Sequence, residues 1–299
     1  MKILITGGSG FIGSHVVERY QDIAEVVVLD NLRTGHRKNL DGLKCRFVEG
    51  SIMDRPLLDE LMQGVDYIFH LAALVSVPES MALPGEAVDL NVHGLLNVLE
   101  SGRKHGVKKL CFASSAAVYG ENPIQPKVEN MVPDPRSPYA ITKLDGEYYC
   151  GLYAREGWLQ TACIRFFNVF GPRQDPNSAY AAAVPIFLQR AKSGQPITVY
   201  GDGGQTRDFI FVKDIVGALS FAAENAHVTG VFNAGYGKAI TILELVEEIK
   251  RLTGSASEIK FEPVRAGDIR HSTSDPSKLM AAGWVPQFDV ASGLSRLLS

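Results

Sequence analysis

The sequence predicts an α/β protein in which a doubly wound parallel sheet is followed by a smaller C-terminal α/β lobe. Three observations predict it. Short apolar runs alternate with helical patterns six times before residue 168, as strands joined by right-handed crossovers do. The first run, Ile3 to Ile5, leads into glycines at 7, 8, 10 and 13 and then a helical pattern from Phe11. The second run, Glu25 to Leu29, ends in an acid, Asp30.

Composition sets outer bounds. The chain has 299 residues, 45% hydrophobic and 21% charged, with a formal net charge of −3. That leaves room for a large core in one large domain or two. No block of like charge suggests a nucleic-acid or membrane surface. No stretch nears the roughly 18 apolar residues of a membrane helix, and the N-terminal apolar run is too short for a signal peptide. Cys45, Cys111, Cys150 and Cys163 lack C-x-x-C spacing and read as buried thiols in a reducing cytoplasm. The seven histidines form no metal-binding motif, so no metal site is expected.

The glycine stretch has the spacing G-x-x-G-x-x-G. Gly7 suits a tight turn, Gly10 lets a phosphate approach the main chain, and Gly13 lets the helix pack on the strand. The helix N-terminus offers free N–H groups to a pyrophosphate. A strand-to-helix turn without a ligand is the plainer reading of such glycines. Asp30, 17 residues beyond Gly13, strengthens the nucleotide reading, because a carboxylate there accepts from adenosine ribose hydroxyls. It would repel a 2′-phosphate, so NAD is favoured over NADP; Arg33 and Arg37 weaken that preference slightly. A solvated strand-end acid is the alternative.

The remaining elements follow in order. A loop or short helix spans 31–42, and a third strand runs from Cys45 to Val48. Asp54 caps the helix through Leu57, Leu58, Leu61 and Met62. Tyr67 to His70 is the fourth strand, with His70 expected to be a packed histidine, not a catalyst. A long helix from about Pro84 to His105 shows Val88, Val92, Leu95, Leu96 and Leu99 at helical spacing. Asn91 lies between them, bonded to backbone beneath the site or placed at the helix flank. Lys109 to Phe112 is the fifth strand, running into Ser114 and Ser115. A loop with five prolines, 122–138, precedes a helix from Ser137-Pro138 to about Arg155. Thr161 to Phe166 is the sixth strand.

Beyond residue 168 the character changes. Helices are expected over Val184–Lys192, Val216–Glu224 and from the capping box Thr241–Glu244; short strands are expected over Phe209–Val212 and Val231–Ala234. The division is 1–168, a dinucleotide-binding domain to which segments near 209–235 return, and 169–299, a partly interleaved lobe facing the cofactor across a cleft.

Tyr139 and Lys143 are four apart on one helix, separated by ~6 Å of rise. A phenol has a pKa of about 10 and is a poor base at neutral pH. A nearby ammonium favours the phenolate, as does a positive nicotinamide ring. Ser115, 24 residues earlier at a strand end, can bond the substrate oxygen that Tyr139 deprotonates. Alone, such a Tyr–Lys pair is more often a solvated helix face; with the glycine turn and Asp30, the catalytic reading prevails.

These features resemble the extended short-chain dehydrogenase/reductase family, in particular the nucleotide-sugar 4-epimerases of the UDP-glucose 4-epimerase type. The carrying motifs are TGGSGFIG, LDNLRTG, HLAA, NVHG, SSAAVYG, SPYAITK, RFFNVFGPR, TRDFIFVKD and RAGD, spread over essentially the whole chain. The resemblance implies a Rossmann sheet and the catalytic set Ser115, Tyr139 and Lys143. It implies NAD held by Gly7, Gly10, Phe11, Ile12 and Gly13, and by Asp30, Asn31, Leu32, Thr34 and Gly35. It adds Ser51 and Ile52, Leu71, Ala72 and Ala73, then Asn91, Ser114 and Phe167. For a UDP-sugar it implies Asn168, Arg207, Arg265 and Asp268, with the two arginines gripping the diphosphate.

Two departures from the pattern matter. Ser51 stands where relatives often carry Asp. Ser272 replaces a bulky residue and leaves room for a 2-N-acetyl group, so UDP-N-acetylglucosamine and UDP-N-acetylgalactosamine join UDP-glucose and UDP-galactose as expected substrates. Ala116 and Ala117 occupy positions where dehydratases and decarboxylases of the family carry an acid, which favours simple oxidation and re-reduction. Another nucleotide-sugar enzyme of this fold, or a non-catalytic NAD-binding sensor, are the alternatives. The family also implies a homodimer through the helices near 84–105 and 137–155.

Overall fold

The computed structural model describes residues 1–176, 182–264 and 269–298. Its strands, in chain order, are β1 (Lys2–Thr6), β2 (Glu25–Asp30), β3 (Arg46–Glu49), β4 (Tyr67–His70), β5 (Lys109–Ser115), β6 (Gln160–Phe166), β7 (Asn168–Phe170), β8 (Ile197–Tyr200), β9 (Thr206–Phe211), β10 (Gly230–Ala234), β11 (Ala239–Thr241), β12 (Ile259–Glu262) and β13 (His271–Ser272). Its helices are α1 (Phe11–Tyr20), α2 (Arg55–Leu61), α3 (Val77–Ala82), α4 (Pro84–Val88), α5 (Gly94–Lys104), α6 (Pro138–Arg155), α7 (Ala183–Lys192), α8 (Val212–Glu224), α9 (Ile242–Thr253), α10 (Ser277–Ala281) and α11 (Val290–Leu298).

Seven parallel strands form the main sheet in the order β10-β6-β5-β4-β1-β2-β3. Both faces are covered, which is why the strands read as unbroken apolar runs. Ile3 and Ile5 face Val16, Val17 and Tyr20 of α1 and Leu219 of α8. Leu4 faces the other way, into a core with Leu58 of α2, Leu99 of α5 and Tyr153 of α6. The strand order turns around at β1 and β4, so a crevice opens there beyond the carboxyl ends of the strands.

The second half contributes to both parts. β9 pairs with β7, β11 and β13 in a separate small sheet, while α8 and β10 complete the main sheet. A third core, built from Phe187, Val199, Phe209, Leu245 and Ile249, fills the lobe. The capping box at Thr241 and Glu244 is formed.

The long helix expected from Pro84 to His105 is a correction. It is α4 and α5 joined by a π-helical turn over Asp89–His93. The wider turn shifts the helical phase, so Val88 is 40% exposed while Ala87, Val92, Leu95 and Leu99 are buried. Helix α3 is an addition to the expected elements; Ser76 caps it by accepting from the Glu79 N–H at 3.1 Å. Among the described residues no helix is long and apolar enough to cross a membrane.

Candidate active site

A cleft of about 420 Å³ lies beyond the carboxyl ends of β1, β2 and β4. Its floor is the glycine turn. Gly7 has φ +74°, and a Cβ there would stand 2.7 Å from the Ala72 nitrogen. A Cβ on Gly13 would stand 2.2 Å from the Gly7 carbonyl oxygen. Gly10 caps α1 with no side-chain hydrogen bond, so the first N–H groups of the helix face the cleft beside Phe11 and Ile12.

Asp30 is only 8% exposed. Its Oδ2 accepts from the Ser9 N–H at 2.9 Å and its Oδ1 from the Leu32 N–H at 2.8 Å. Backbone donors thus aim the carboxylate, and each oxygen keeps a lone pair. Leu32, at φ +59°, serves through that N–H and does not line the cleft; Asn31, Thr34 and Gly35 do. The arginines near Asp30 are both engaged. Arg33 donates to Glu79 and Glu86 at 2.9 Å each, and Arg37 stacks 4.7 Å over the Phe47 ring. Ser51 and Ile52, and Leu71, Ala72 and Ala73, also line the cleft.

At the far end stand Ser114, Tyr139 and Lys143. Ser137 caps α6 by accepting from the Ala140 N–H at 3.2 Å, which starts the helix where Tyr139 meets the cleft. Ser115 stands beside Tyr139 and favours its phenolate, while its own Oγ accepts from the Ala117 N–H. Lys143 Nζ donates to the Ala113 carbonyl at 2.8 Å and lies 5.7 Å from the centre of the Tyr139 ring. Burial lowers the Lys143 ammonium to about 8. Burial also pushes the Tyr139 phenol up, partly offset by the neighbouring Ser115 side chain.

Asn91 and Phe167 do not line the cleft. The Asn91 Oδ1 accepts from the Leu74 N–H at 2.7 Å, and its Nδ2 donates to Leu74 O at 3.1 Å and Thr142 Oγ1 at 3.0 Å. It ties the loop after β4 to α6, which decides in favour of bonding beneath the site. Phe167 is buried with Val118 and Tyr119; its neighbour Phe166 lines the cleft instead, as do Val169 and Gln174. Pairing of β6 with both neighbours, which decides the facing of Phe166, is not readable from the local sequence.

On the lobe side, Asn168 Nδ2 donates to Asp208 O at 3.0 Å. Arg207 and Ser272 are register partners on β9 and β13, and Arg207 Nη1 donates to Thr206 O at 2.9 Å. Arg265 and Asp268 lie outside the described residues. Ala116 and Ala117 begin a 3-10 turn in which Ser115 Oγ accepts from the Ala117 N–H at 3.1 Å.

His70 is packed, as expected: Nδ1 lies 2.8 Å from Thr6 Oγ1 and the ring stacks on Phe112. Burial lowers it from 6.5 to about 3. Between those values the unfolded chain binds a proton that the folded chain refuses. The stability that neutral His70 contributes is full above pH 6.5 and is lost as pH falls toward 3, by about 1.4 kcal/mol per pH unit. Melting temperatures from about pH 7 to about 4 should fall more steeply for wild type than for His70→Gln; parallel curves would contradict this.

The model of the NAD dependent epimerase/dehydratase family matches residues 3–235. This chain belongs to that family. The match takes in the glycine turn, Asp30 and α6, and the residues present fit the family's dinucleotide: a cradle that a Cβ would fill, an uncapped helix N-terminus and an oriented carboxylate. Similarity runs beyond the matched segment. The UDP-glucose 4-epimerase of Mycolicibacterium smegmatis is 38% identical over 304 residues, 99% of this chain and 97% of that protein. The UDP-N-acetylglucosamine 4-epimerase of Methanobrevibacter ruminantium, solved with UDP-N-acetylmuramic acid, superposes with a TM-score of 0.96 at 39% identity, covering 99% of this chain and 96% of that one. The UDP-glucose 4-epimerase of Thermus thermophilus, solved with NAD, gives 0.90 at 37% identity, covering 100% and 98%. As a member of the epimerase/dehydratase family, the chain is NAD-dependent.

Proposed function

We propose that this protein is a UDP-sugar 4-epimerase, an isomerase acting on UDP-glucose and UDP-galactose and on their 2-N-acetyl counterparts. The observation that carries the reading is Tyr139 beside Ser115 and Lys143 at one end of the cleft, with Ala116 and Ala117 where a dehydratase would need an acid. The named relatives support it, since they are 4-epimerases similar over nearly their whole length.

Bound NAD supplies the acceptor and donor of a hydride at the sugar C4 and, when oxidised, a positive ring that favours a phenolate. Tyr139 Oη takes the proton of the 4-hydroxyl, and Ser115 Oγ bonds the same oxygen. Lys143 holds the main chain of Ala113 and would bond the nicotinamide ribose hydroxyls. The 4-keto sugar turns over while Arg207, Arg265 and Asn168 keep hold of the nucleotide, and Asp268 binds a sugar or ribose hydroxyl. Tyr139 then returns the proton to the new 4-hydroxyl, so proton and hydride balance over the cycle. Asp30, Gly7, Gly10 and Gly13 hold the dinucleotide throughout.

The test is to incubate purified protein with UDP-sugars, without added cofactor, and follow products by NMR. Interconversion at C4 without change of mass is expected; loss of carbon dioxide or water would overturn the reading. Ser272→Tyr should lower turnover of the N-acetylated sugars by about 10-fold or more while sparing UDP-glucose, because the acetyl group loses its space. Equal loss for both classes would count against that role.

The protein is further proposed to be a cytoplasmic homodimer. Met81 (60% exposed), Val77, Val88, Ile141 and Tyr148 leave apolar side chains exposed on α3, α4 and α6, as a subunit interface would use. All four cysteines are free thiols, as a reducing compartment requires.

A further inference from the structure

Helix α6 presents three polar side chains at four-residue spacing: Tyr139, Lys143 and Glu147. Each meets one of three consecutive residues at the end of β5. Tyr139 stands beside the Ser115 side chain, Lys143 Nζ donates to the Ala113 carbonyl at 2.8 Å, and the Ser114 hydroxyl donates to Glu147 Oε1. The third rung is charged and deeply buried. Arg165 donates to Glu147 Oε1 through Nε at 2.8 Å and to Oε2 through Nη2 at 2.7 Å, with both side chains no more than 4% exposed. Arg165 is itself the register partner of Ser114 across β5 and β6. Its guanidinium lies 4.7 Å over the Tyr119 ring, and its Nη1 donates to Glu129 O at 3.4 Å.

Stability does not explain this pair. Desolvating two charges costs several kcal/mol, and well-packed apolar residues of similar volume often serve as well or better. What an apolar pair lacks is a directional acceptor for Ser114, placed at one position by a bidentate partner. We propose that Glu147 and Arg165 are positioning residues for the reaction. They clamp Ser114, and so hold the end of β5 on which Ser115 and the Ala113 carbonyl meet Tyr139 and Lys143. This rests on the reading of Ser115, Tyr139 and Lys143 as the reacting set.

The test uses the full chain carrying Glu147→Leu with Arg165→Met. Folding, bound NAD, KM and kcat for UDP-glucose and UDP-galactose are measured separately. A folded, NAD-loaded variant with KM nearly unchanged and kcat reduced about 10- to 100-fold is expected, the scale of a sub-ångström to ångström misplacement. A wild-type kcat in that variant overturns the proposal. Should the double variant fail to fold, Ser114→Ala decides. A fall in kcat at full NAD content, recovered by Ser114→Thr, supports the clamp; an unchanged kcat overturns it. Wild-type protein without any turnover overturns the epimerase reading and the clamp together, whereas wild-type turnover with undiminished variant turnover overturns the clamp alone.

Discussion

Tyr139→Phe is expected to lower kcat by about 10²- to 10⁴-fold, the usual contribution of a positioned general acid–base. The substitution removes one hydroxyl, beside Ser115 at the start of α6. The cost in stability is therefore small, about 1 kcal/mol. The ring keeps its place beside Lys143, and Asp30 and the glycine turn are untouched. Bound NAD and melting temperature should stay near wild type. Wild-type turnover in the variant would remove Tyr139 from the chemistry, and loss of NAD with turnover would make it a structural residue.

Gly13→Ala is expected to fail at an earlier stage, in assembly of the dinucleotide site. Alanine ordinarily improves a helix over glycine by roughly 0.5–1 kcal/mol. Here the added Cβ would stand 2.2 Å from the Gly7 carbonyl oxygen and 2.7 Å from the Gly8 Cα. Both are backbone, so α1 must move off β1. That movement strains the packing of Val16, Val17 and Tyr20, at a cost of about 1–3 kcal/mol. The clash outweighs the propensity gain, and both melting temperature and NAD retention should drop. Gly10→Ala is the contrast. Its Cβ would meet one atom, Gly7 O at 3.2 Å, so the fold should hold while NAD binding falls. Equal behaviour of the two variants in thermal melts and NAD titration would refute the distinction.

Much of the site is legible in the sequence because its signals are local. The glycine spacing, the acid at the end of β2 and the four-residue interval in α6 each follow from one element's own geometry. The differences involve partners distant in the chain. The resemblance puts Phe167 beside the nicotinamide; the fold packs it against Val118 and Tyr119 and sets Phe166 on the cleft wall. Arg33 reads as a cation near Asp30, and the fold pairs it with Glu79 and Glu86. The lysine and a nicotinamide ring read as favouring the phenolate, and burial, set by the whole fold, opposes it. The phase of the helix after Pro84 slips because a π turn leaves no mark in apolar periodicity.

Periodicity and spacing by themselves determined the succession of strands and helices, the nucleotide turn and the pairing of Tyr139 with Lys143, since short-range sterics and hydrogen bonds set those features within a single element. Tertiary structure alone decided which buried polar groups are spent on one another: Asn91 on Leu74 and Thr142, Glu147 on Arg165 and Ser114. The reason is desolvation. A buried donor or charge must find a partner wherever the fold brings one within reach, and that partner lies well outside the donor's own element of secondary structure.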